Sequence, residues 1–263
     1  MADREVLPET GDGEDVYASG AYWREYYNAL GHENREVGDF LLEATGSLPA
    51  GDGLRILDAG CGPTLLYWAV FAVGWNKVHG FDLNPASISD NRRRIDEARR
   101  GVVDAGLVEA AAHAIRVLSA TVTPEQLVAD KAAQVQSLKV ADLSKPWPYA
   151  AEQFDLVQSC FAMESLPDWT SFDAALAEAR RVLRPGGSLA LVNGSQGTGW
   201  ICDAHHFPTL FVTERDLGER LERHGLLVRS TREVDSTDPN WRTQGYNRIL
   251  LTRATKPGQP ATE

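Results

Sequence analysis

Short apolar runs separated by longer amphipathic stretches organise most of this chain, and that alternation predicts strands interleaved with helices. A first strand is expected at Leu54–Asp58, where an apolar run ends in an acid and a glycine turn. A second is expected at Lys77–Phe81, again followed by an acid, Asp82. Further runs place strands at Ser137–Val140, Phe154–Ser159 and Ser188–Val192, and two more near Leu226–Ser230 and Tyr246–Thr252. Between them the apolar spacing is helical. One helix opens near Thr64, whose side-chain oxygen suits a cap, and another at Asn84-Pro85, running through Arg92-Arg93-Arg94 to Arg99-Arg100. Helices over 171–183 and 213–224 follow. Arg184-Pro185-Gly186-Gly187 stops the first, and Thr213, with Asp216 at the positive end, starts the second. The alanine-rich stretch at about 107–134, with Thr123-Pro124-Glu125 as a helix start, reads as an insertion between the second and third strands.

Residues 1–14 are polar and read as a disordered tail. Residues 15–50 are expected to form an N-terminal helical segment in which Tyr17, Tyr22, Trp23, Tyr26 and Tyr27 crowd together. The α/β domain then covers 51–254, and 255–263 is a second tail. Asn193 to Phe211, rich in glycine, histidine and aromatics, reads as a loop. Strands and helices at this spacing predict one doubly wound α/β domain around a seven-stranded, mostly parallel sheet.

Composition narrows the function. With 263 residues the chain can bury a full core, and 43% hydrophobic with 24% charged residues is ordinary for a globular protein. The formal charge of −11 argues against nucleic acid as partner and favours a small neutral or cationic molecule. The arginine set at 92–100 then reads as a solvated helix face. The three cysteines, Cys61, Cys160 and Cys202, form no close pair, so neither a disulfide framework nor a metal site is expected. No apolar run reaches membrane-spanning length and Met1-Ala2-Asp3-Arg4-Glu5 is not a secretory leader, so a cytoplasmic protein, a monomer or weak homodimer with no membrane partner, is expected.

The glycine loop Asp58-Ala59-Gly60-Cys61-Gly62-Pro63-Thr64 carries the chemistry. A dinucleotide loop places a pyrophosphate on a helix N-terminus and needs a third small residue, but Leu65 stands there and Asp58 would repel a phosphate. A sulfonium nucleoside reverses that sign. Asp58 can face its ammonium and sulfonium, through water or the loop. Asp82 can accept from both ribose hydroxyls. Asp142 suits the adenine amino group, with Leu143 as an apolar wall. The cofactor expected is S-adenosyl-L-methionine, with no metal.

Those residues, together with Ala21-Tyr22-Trp23-Arg24-Glu25-Tyr26-Tyr27, Phe81-Asp82, Ala141-Asp142-Leu143 and Phe161-Ala162-Met163-Glu164, resemble the nicotinamide, phenylethanolamine and thioether (indolethylamine) methyltransferases, in a bacterial-type form. The resemblance covers about residues 15 to 253 and implies a class I, Rossmann-like methyltransferase fold with an N-terminal helical lid. It implies that Tyr22 and Tyr27 fold over the cofactor. Gly60, Cys61, Gly62, Thr64, Asp82, Leu83 and Ser87 would touch it, with Cys160 near the methionine moiety. Leu66 replaces a cofactor-contacting tyrosine of those relatives, and Ser87 replaces an asparagine.

For the acceptor, Glu164 is the first candidate to fix an amine and take its proton; the same Phe-x-x-Glu pattern meets the substrate amine in the phenylethanolamine branch. Asp203 stands roughly where that branch has a second acid. His205 or His206 would serve as base for an oxygen, sulfur or carbon acceptor. Tyr26, Phe161, Trp200, Phe207 and Trp241 are candidate walls for a small planar amine or heteroaromatic acceptor. Asn193 occupies the place of an aspartate in the nicotinamide branch.

Overall fold

The computed structural model describes residues 17–49, 53–236 and 246–258. The 1–14 tail, Trp241 and the end of the 255–263 tail lie outside them. The strands are β1 (Arg55–Ala59), β2 (Lys77–Asp82), β3 (Val135–Val140), β4 (Phe154–Cys160), β5 (Leu183–Ser195), β6 (Gly199–Cys202), β7 (His205–Pro208), β8 (Leu227–Asp235) and β9 (Arg248–Thr255). The main sheet is seven-stranded in the order β3-β2-β1-β4-β5-β9-β8, while β6 and β7 pair with each other. β1 to β5 are parallel, and β9 runs antiparallel to both β5 and β8. The mostly parallel, doubly wound sheet is thus present.

Helices α1 (Ser19–Tyr26), α2 (His32–Gly46), α3 (Leu65–Ala69), α4 (Pro85–Arg99), α5 (Ala105–Leu118) and α6 (Pro124–Gln134) lie on one face, and α7 (Trp169–Val182) and α8 (Glu214–Arg223) on the other. Strand side chains alternate between the two cores. Ile56, Leu156, Ala190 and Ile249 point into the first, and Leu57, Val157, Leu189 and Leu250 into the second. Burial on both sides explains why the inner strands read as continuous apolar runs. The alanine-rich insertion becomes α5 and α6, whose Ala110, Ala111, Ala114 and Ala132 allow close packing in the first core. Lys131 of α6 donates to the carbonyls of Ala72 and Gly74 at 2.6 and 2.7 Å, satisfying acceptors just beyond α3.

Three local expectations are corrected. Thr64 does not cap α3 with its side chain; its hydroxyl donates to the Cys61 carbonyl at 2.9 Å, stiffening the glycine loop. β5 starts at Leu183, which pairs with Phe154, so Pro185 to Gly187 form an irregularity inside it. Gly186 N–H bonds the Lys256 carbonyl there, and pairing with β9 carries β5 on to Ser195. The expected 193–211 loop instead contains the β6–β7 hairpin. Its turn, Asp203-Ala204, has positive φ at both residues (50° and 64°), a backbone usually supplied by glycine or asparagine. Asp-Ala gives no such signal. Among the described residues no helix is long and apolar enough to cross a membrane.

Candidate functional site

The order of the sheet reverses between β1 and β4, and a crevice opens at the carboxyl ends of strands flanking such a switch. Here it holds a cavity of about 550 Å³. The residues at and just after the carboxyl ends of β1, β2, β3 and β4 form its floor: Gly60 to Gly62, Asp82 to Asn84, Asp142-Leu143 and Phe161-Ala162.

The glycine loop is tied to β2. Gly60 and Cys61 N–H both donate to the Phe81 carbonyl, at 2.9 and 3.0 Å. Gly62 N–H donates to Asp82 Oδ2, and Asn84 N–H to Asp82 Oδ1, both at 2.8 Å. Burial raises the Asp82 carboxyl, and these two donors oppose the shift. Each oxygen keeps a lone pair for a diol. Gly60 has φ +73°, and a Cβ there would lie 2.5 Å from Ala162 Cβ and 2.8 Å from Leu143 Cδ1. Gly60→Ala is therefore expected to push the loop off its seat, costing about 1–3 kcal/mol of stability and most donor affinity. Chemical denaturation and calorimetric titration with S-adenosylhomocysteine check both effects.

Asp142 accepts from Ser144 N–H and Oγ–H at 2.7 and 2.8 Å, which orients its carboxylate at the cavity wall beside Leu143. Cys61, Thr64 and Cys160 also line the cavity, and Leu83, 60% exposed, stands at its mouth. Asp58 lies behind the loop, opposite Gln158 in the β1–β4 register, and does not line the cavity. It is 1% exposed, and neither carboxylate oxygen has a hydrogen bond. Burial pushes its carboxyl up to about 7; the Gln158 side chain opposes that shift and the Asp82 charge adds to it.

The cover has two parts. Tyr17 hydrogen-bonds Ser87 through its phenol (3.1 Å), and its carbonyl accepts from Asn84 Nδ2 (3.1 Å). A Cβ on Gly62 would sit 3.1 Å from the Tyr17 hydroxyl, so the tyrosine closes directly on the loop. Tyr22 follows, its phenol 3.3 Å from that of Tyr27. The second part is the β6–β7 hairpin. Trp200 stacks on Phe207 (centroids 4.4 Å, 20°) and meets Tyr17 and Tyr22 edge-on. The Tyr26 phenol donates to the Ile201 carbonyl at 2.6 Å, fastening hairpin to helix.

Beside the large cavity is a small one of about 20 Å³. Tyr22, Phe161, Trp200 and Thr209 line both, so the two share a frame. Tyr26, Tyr246, Gly194 and Glu164 complete the small cavity. Glu164 is 4% exposed. Gly194 N–H donates to its Oε1 at 2.9 Å and Asn193 Nδ2 to its Oε2 at 2.8 Å. Burial pushes the carboxyl up to about 7 against these two donors. Uncharged partners cannot offset the lost hydration of a full charge, so the acid is poised near neutrality.

Several expected site residues stand elsewhere. Tyr27 is 2% exposed and packs on Trp23, Tyr67 and Trp68; it supports Tyr22 and lines neither cavity. Ser87, fully buried, anchors Tyr17. Asn193 is likewise buried and holds Glu164, so it lies behind the small cavity. Asp203 and His205 are exposed at the hairpin turn, where Asp203 N–H reaches Glu25 and His205 Nδ1 lies 2.9 Å from the Asp203 carbonyl. The His206 ring lies across Gly199. None of these three lines either of the two cavities, because the hairpin turn carries them away from the frame. The structure adds Tyr17, Asn84, Ser165 to Pro167, Thr209, Leu210 and Tyr246. Tyr17 belonged to the aromatic crowd, and Asn84 read only as a helix cap, which it also is (Ala86 N–H, 2.9 Å). Thr209 and Tyr246 carry no local signal.

The donor set fits S-adenosylmethionine. An orphaned, buried carboxylate, Asp58, stands behind the glycine loop that lines the cavity, Asp82 has acceptors for a ribose, and Leu143 supplies an apolar wall. The volume lies within the range of nucleoside-sized ligands.

Comparison with known proteins agrees. A family model described as a methyltransferase domain matches residues 101–191. Phenylethanolamine N-methyltransferase from Homo sapiens is 30% identical over 106 residues, covering 38% of this chain and 38% of that enzyme. The match thus spans well under half of that relative's length. Among solved structures, a SAM-dependent methyltransferase from Methanosarcina mazei superposes with a TM-score of 0.55 at 20% identity, covering 80% of this chain and 95% of the other. A geranyl diphosphate methyltransferase in complex with SAM gives 0.53 at 17%, covering 85% of each. At such identities the shared property is the fold, which is the class I, Rossmann-like methyltransferase fold.

Proposed function

We propose that this chain, built on the class I methyltransferase fold, binds S-adenosylmethionine and transfers its methyl group to the nitrogen of a small-molecule amine or heteroaromatic. The observation that carries this reading is Glu164, a buried carboxylate walled by aromatic rings, in a pocket that shares its frame with the donor cavity. The 30% likeness to an amine methyltransferase supports the same acceptor class.

When bound, the donor supplies an electrophilic methyl on a good leaving group. The chain's residues then need chiefly to orient and to exclude water. Asp82 and the glycine loop hold the ribose end, Asp142 and Leu143 the base, and Asp58 offsets the positive charge from behind the loop. Tyr22, Phe161 and Trp200 close the frame through which the acceptor nitrogen meets the methyl. Glu164, with one lone pair of each oxygen still available, accepts an N–H and takes the proton released after transfer. An oxygen-, sulfur- or carbon-directed reaction through His205 or His206 lacks this support, since neither histidine lines either of the two cavities.

Incubation of the full chain with methyl-labelled donor and a panel of amines, heteroaromatics, alcohols and thiols tests the reading by mass spectrometry. N-methylated product with S-adenosylhomocysteine is expected. Turnover confined to alcohols or thiols overturns the nitrogen assignment. Donor binding without turnover on any class makes this a binding protein.

A further inference from the structure

Two features of the small cavity play no part in the chemistry described so far. Its size, about 20 Å³, admits a single water-sized group such as a terminal nitrogen with its hydrogens. Its shared frame also holds a hydroxyl, that of Thr209, which no described residue hydrogen-bonds. Two neighbouring phenols are already engaged, Tyr22 with Tyr27 and Tyr26 with the Ile201 carbonyl. Trp200 can only donate.

Thr209 is also held in place relative to Glu164. Its own N–H donates to the Thr198 carbonyl at 3.1 Å, closing the base of the β6–β7 hairpin. The next N–H, Leu210, donates to the Glu164 carbonyl at 2.7 Å. The backbone that carries the hydroxyl is thus bonded to the residue that carries the carboxylate. Within an aromatic wall, a few convergent polar groups of this kind set ligand orientation.

Building on the amine reading, we propose that Thr209 is a second acceptor-binding residue, and that with Glu164 it selects a primary amine and one methyl transfer. A primary amine has two N–H bonds and one lone pair. Glu164 accepts one N–H and Thr209 Oγ the other, which leaves the lone pair directed through the frame of Tyr22, Phe161 and Trp200. The nitrogen lone pair forms the new C–N bond as the methyl–sulfur bond breaks and its electron pair remains on sulfur. The ammonium product then gives one proton to the Glu164 carboxylate, which passes it to water as the pocket opens. A secondary amine would place its N-methyl where Thr209 or Glu164 needs a hydrogen, in a space sized for one small group.

The test uses the full chain, saturating S-adenosylmethionine, and the probes 2-phenylethylamine and its N-methyl derivative. Release of S-adenosylhomocysteine is followed, and donor affinity is measured by calorimetry. For wild type, kcat/KM is expected to be at least tenfold higher with the primary amine, with the monomethyl compound as end product. Thr209→Val preserves shape but removes the hydroxyl. It is expected to lower kcat/KM for the primary amine about 5–30-fold, leave donor affinity unchanged, and narrow the preference over the secondary amine. Thr209→Ser is expected to stay within about threefold of wild type. Wild-type activity with an unaltered Thr209→Val variant, or a Thr209→Ser loss as large as that of Val, overturns this inference while leaving the amine reading standing. Wild type that turns over the secondary amine equally well overturns the selection. Wild type inactive toward both probes while methylating alcohols or thiols overturns both readings together.

Discussion

Glu164→Gln is expected to lower kcat/KM for an amine acceptor by about 10²-fold or more while leaving donor affinity within a few-fold of wild type. General-base and amine-fixing carboxylates contribute on this scale. The fold should tolerate the change. The substituted side chain would present an amide N–H₂ where Asn193 or Gly194 now donates, but the buried Asn193 Oδ1 has no partner and can accept after a rotation of its amide. The pH profile makes the prediction specific. Burial holds the Glu164 carboxyl at about 7. Below that value the acid is protonated and cannot take the amine's proton, so activity should rise about tenfold per pH unit up to about pH 7. The acceptor's own ionisation adds a further rise, common to wild type and variant. The ratio of the two profiles at each pH, for one acceptor, isolates the Glu164 limb. A ratio independent of pH would remove Glu164 from the proton path.

Asp58→Asn is expected to act in opposite directions on binding and on stability. Asp58 is buried without a hydrogen bond, and burial raises its carboxyl to about 7, from an ordinary value near 3.8. Between those values the folded chain holds a proton that the unfolded chain releases. Stability from this group therefore falls as pH rises through that window, at up to about 1.4 kcal/mol per unit, and the full cost is reached above about pH 7. Asparagine carries no charge and avoids that cost. The ligand-free variant should unfold at a higher temperature than wild type at pH 8, with the difference shrinking toward pH 5. Donor affinity should fall roughly tenfold or more, because the carboxylate no longer offsets a sulfonium and an ammonium. Wild type should release a proton on binding near pH 7, since a cation nearby pulls the Asp58 carboxyl down. Titration calorimetry in buffers of different ionisation enthalpy detects that proton. Unchanged donor affinity together with an unchanged melting profile would show that Asp58 has no electrostatic link to the cavity.

Both acids were legible in the sequence as residues, and neither as an environment. Asp58 follows an apolar run and precedes a glycine turn, so its place at a strand end was readable. Its lack of any hydrogen bond was not, because that depends on Gln158 a hundred residues away. Glu164 was found by motif. The donors that hold it, Asn193 and Gly194, sit on β5, which hydropathy alone ended at Val192. Ser87 and Tyr27 show the same limit from the other side. Motif position put them on the ligand, and packing uses one to anchor Tyr17 and the other to support Tyr22. The histidines failed for a different reason. Their segment read as a loop, and the Asp203-Ala204 turn that makes it a hairpin lacks the glycine by which such turns are recognised.

By itself the sequence determined the alternation of strands and helices, the two-faced burial of the inner strands, the tight loop at Gly60 and the acids at the ends of β1, β2 and β3. These follow from local causes: hydrophobic period, the φ that only glycine adopts easily, and the place of a residue relative to its own strand. Tertiary structure alone decided that the cover is built from Tyr17 and Tyr22 together with a hairpin. It also decided that Thr209 and Glu164 line one small cavity of about 20 Å³, and that two carboxyls are poised near pH 7. Each of these is a sum over residues distant in the chain. Burial, desolvation and cavity shape exist only once the sheet has brought those residues together.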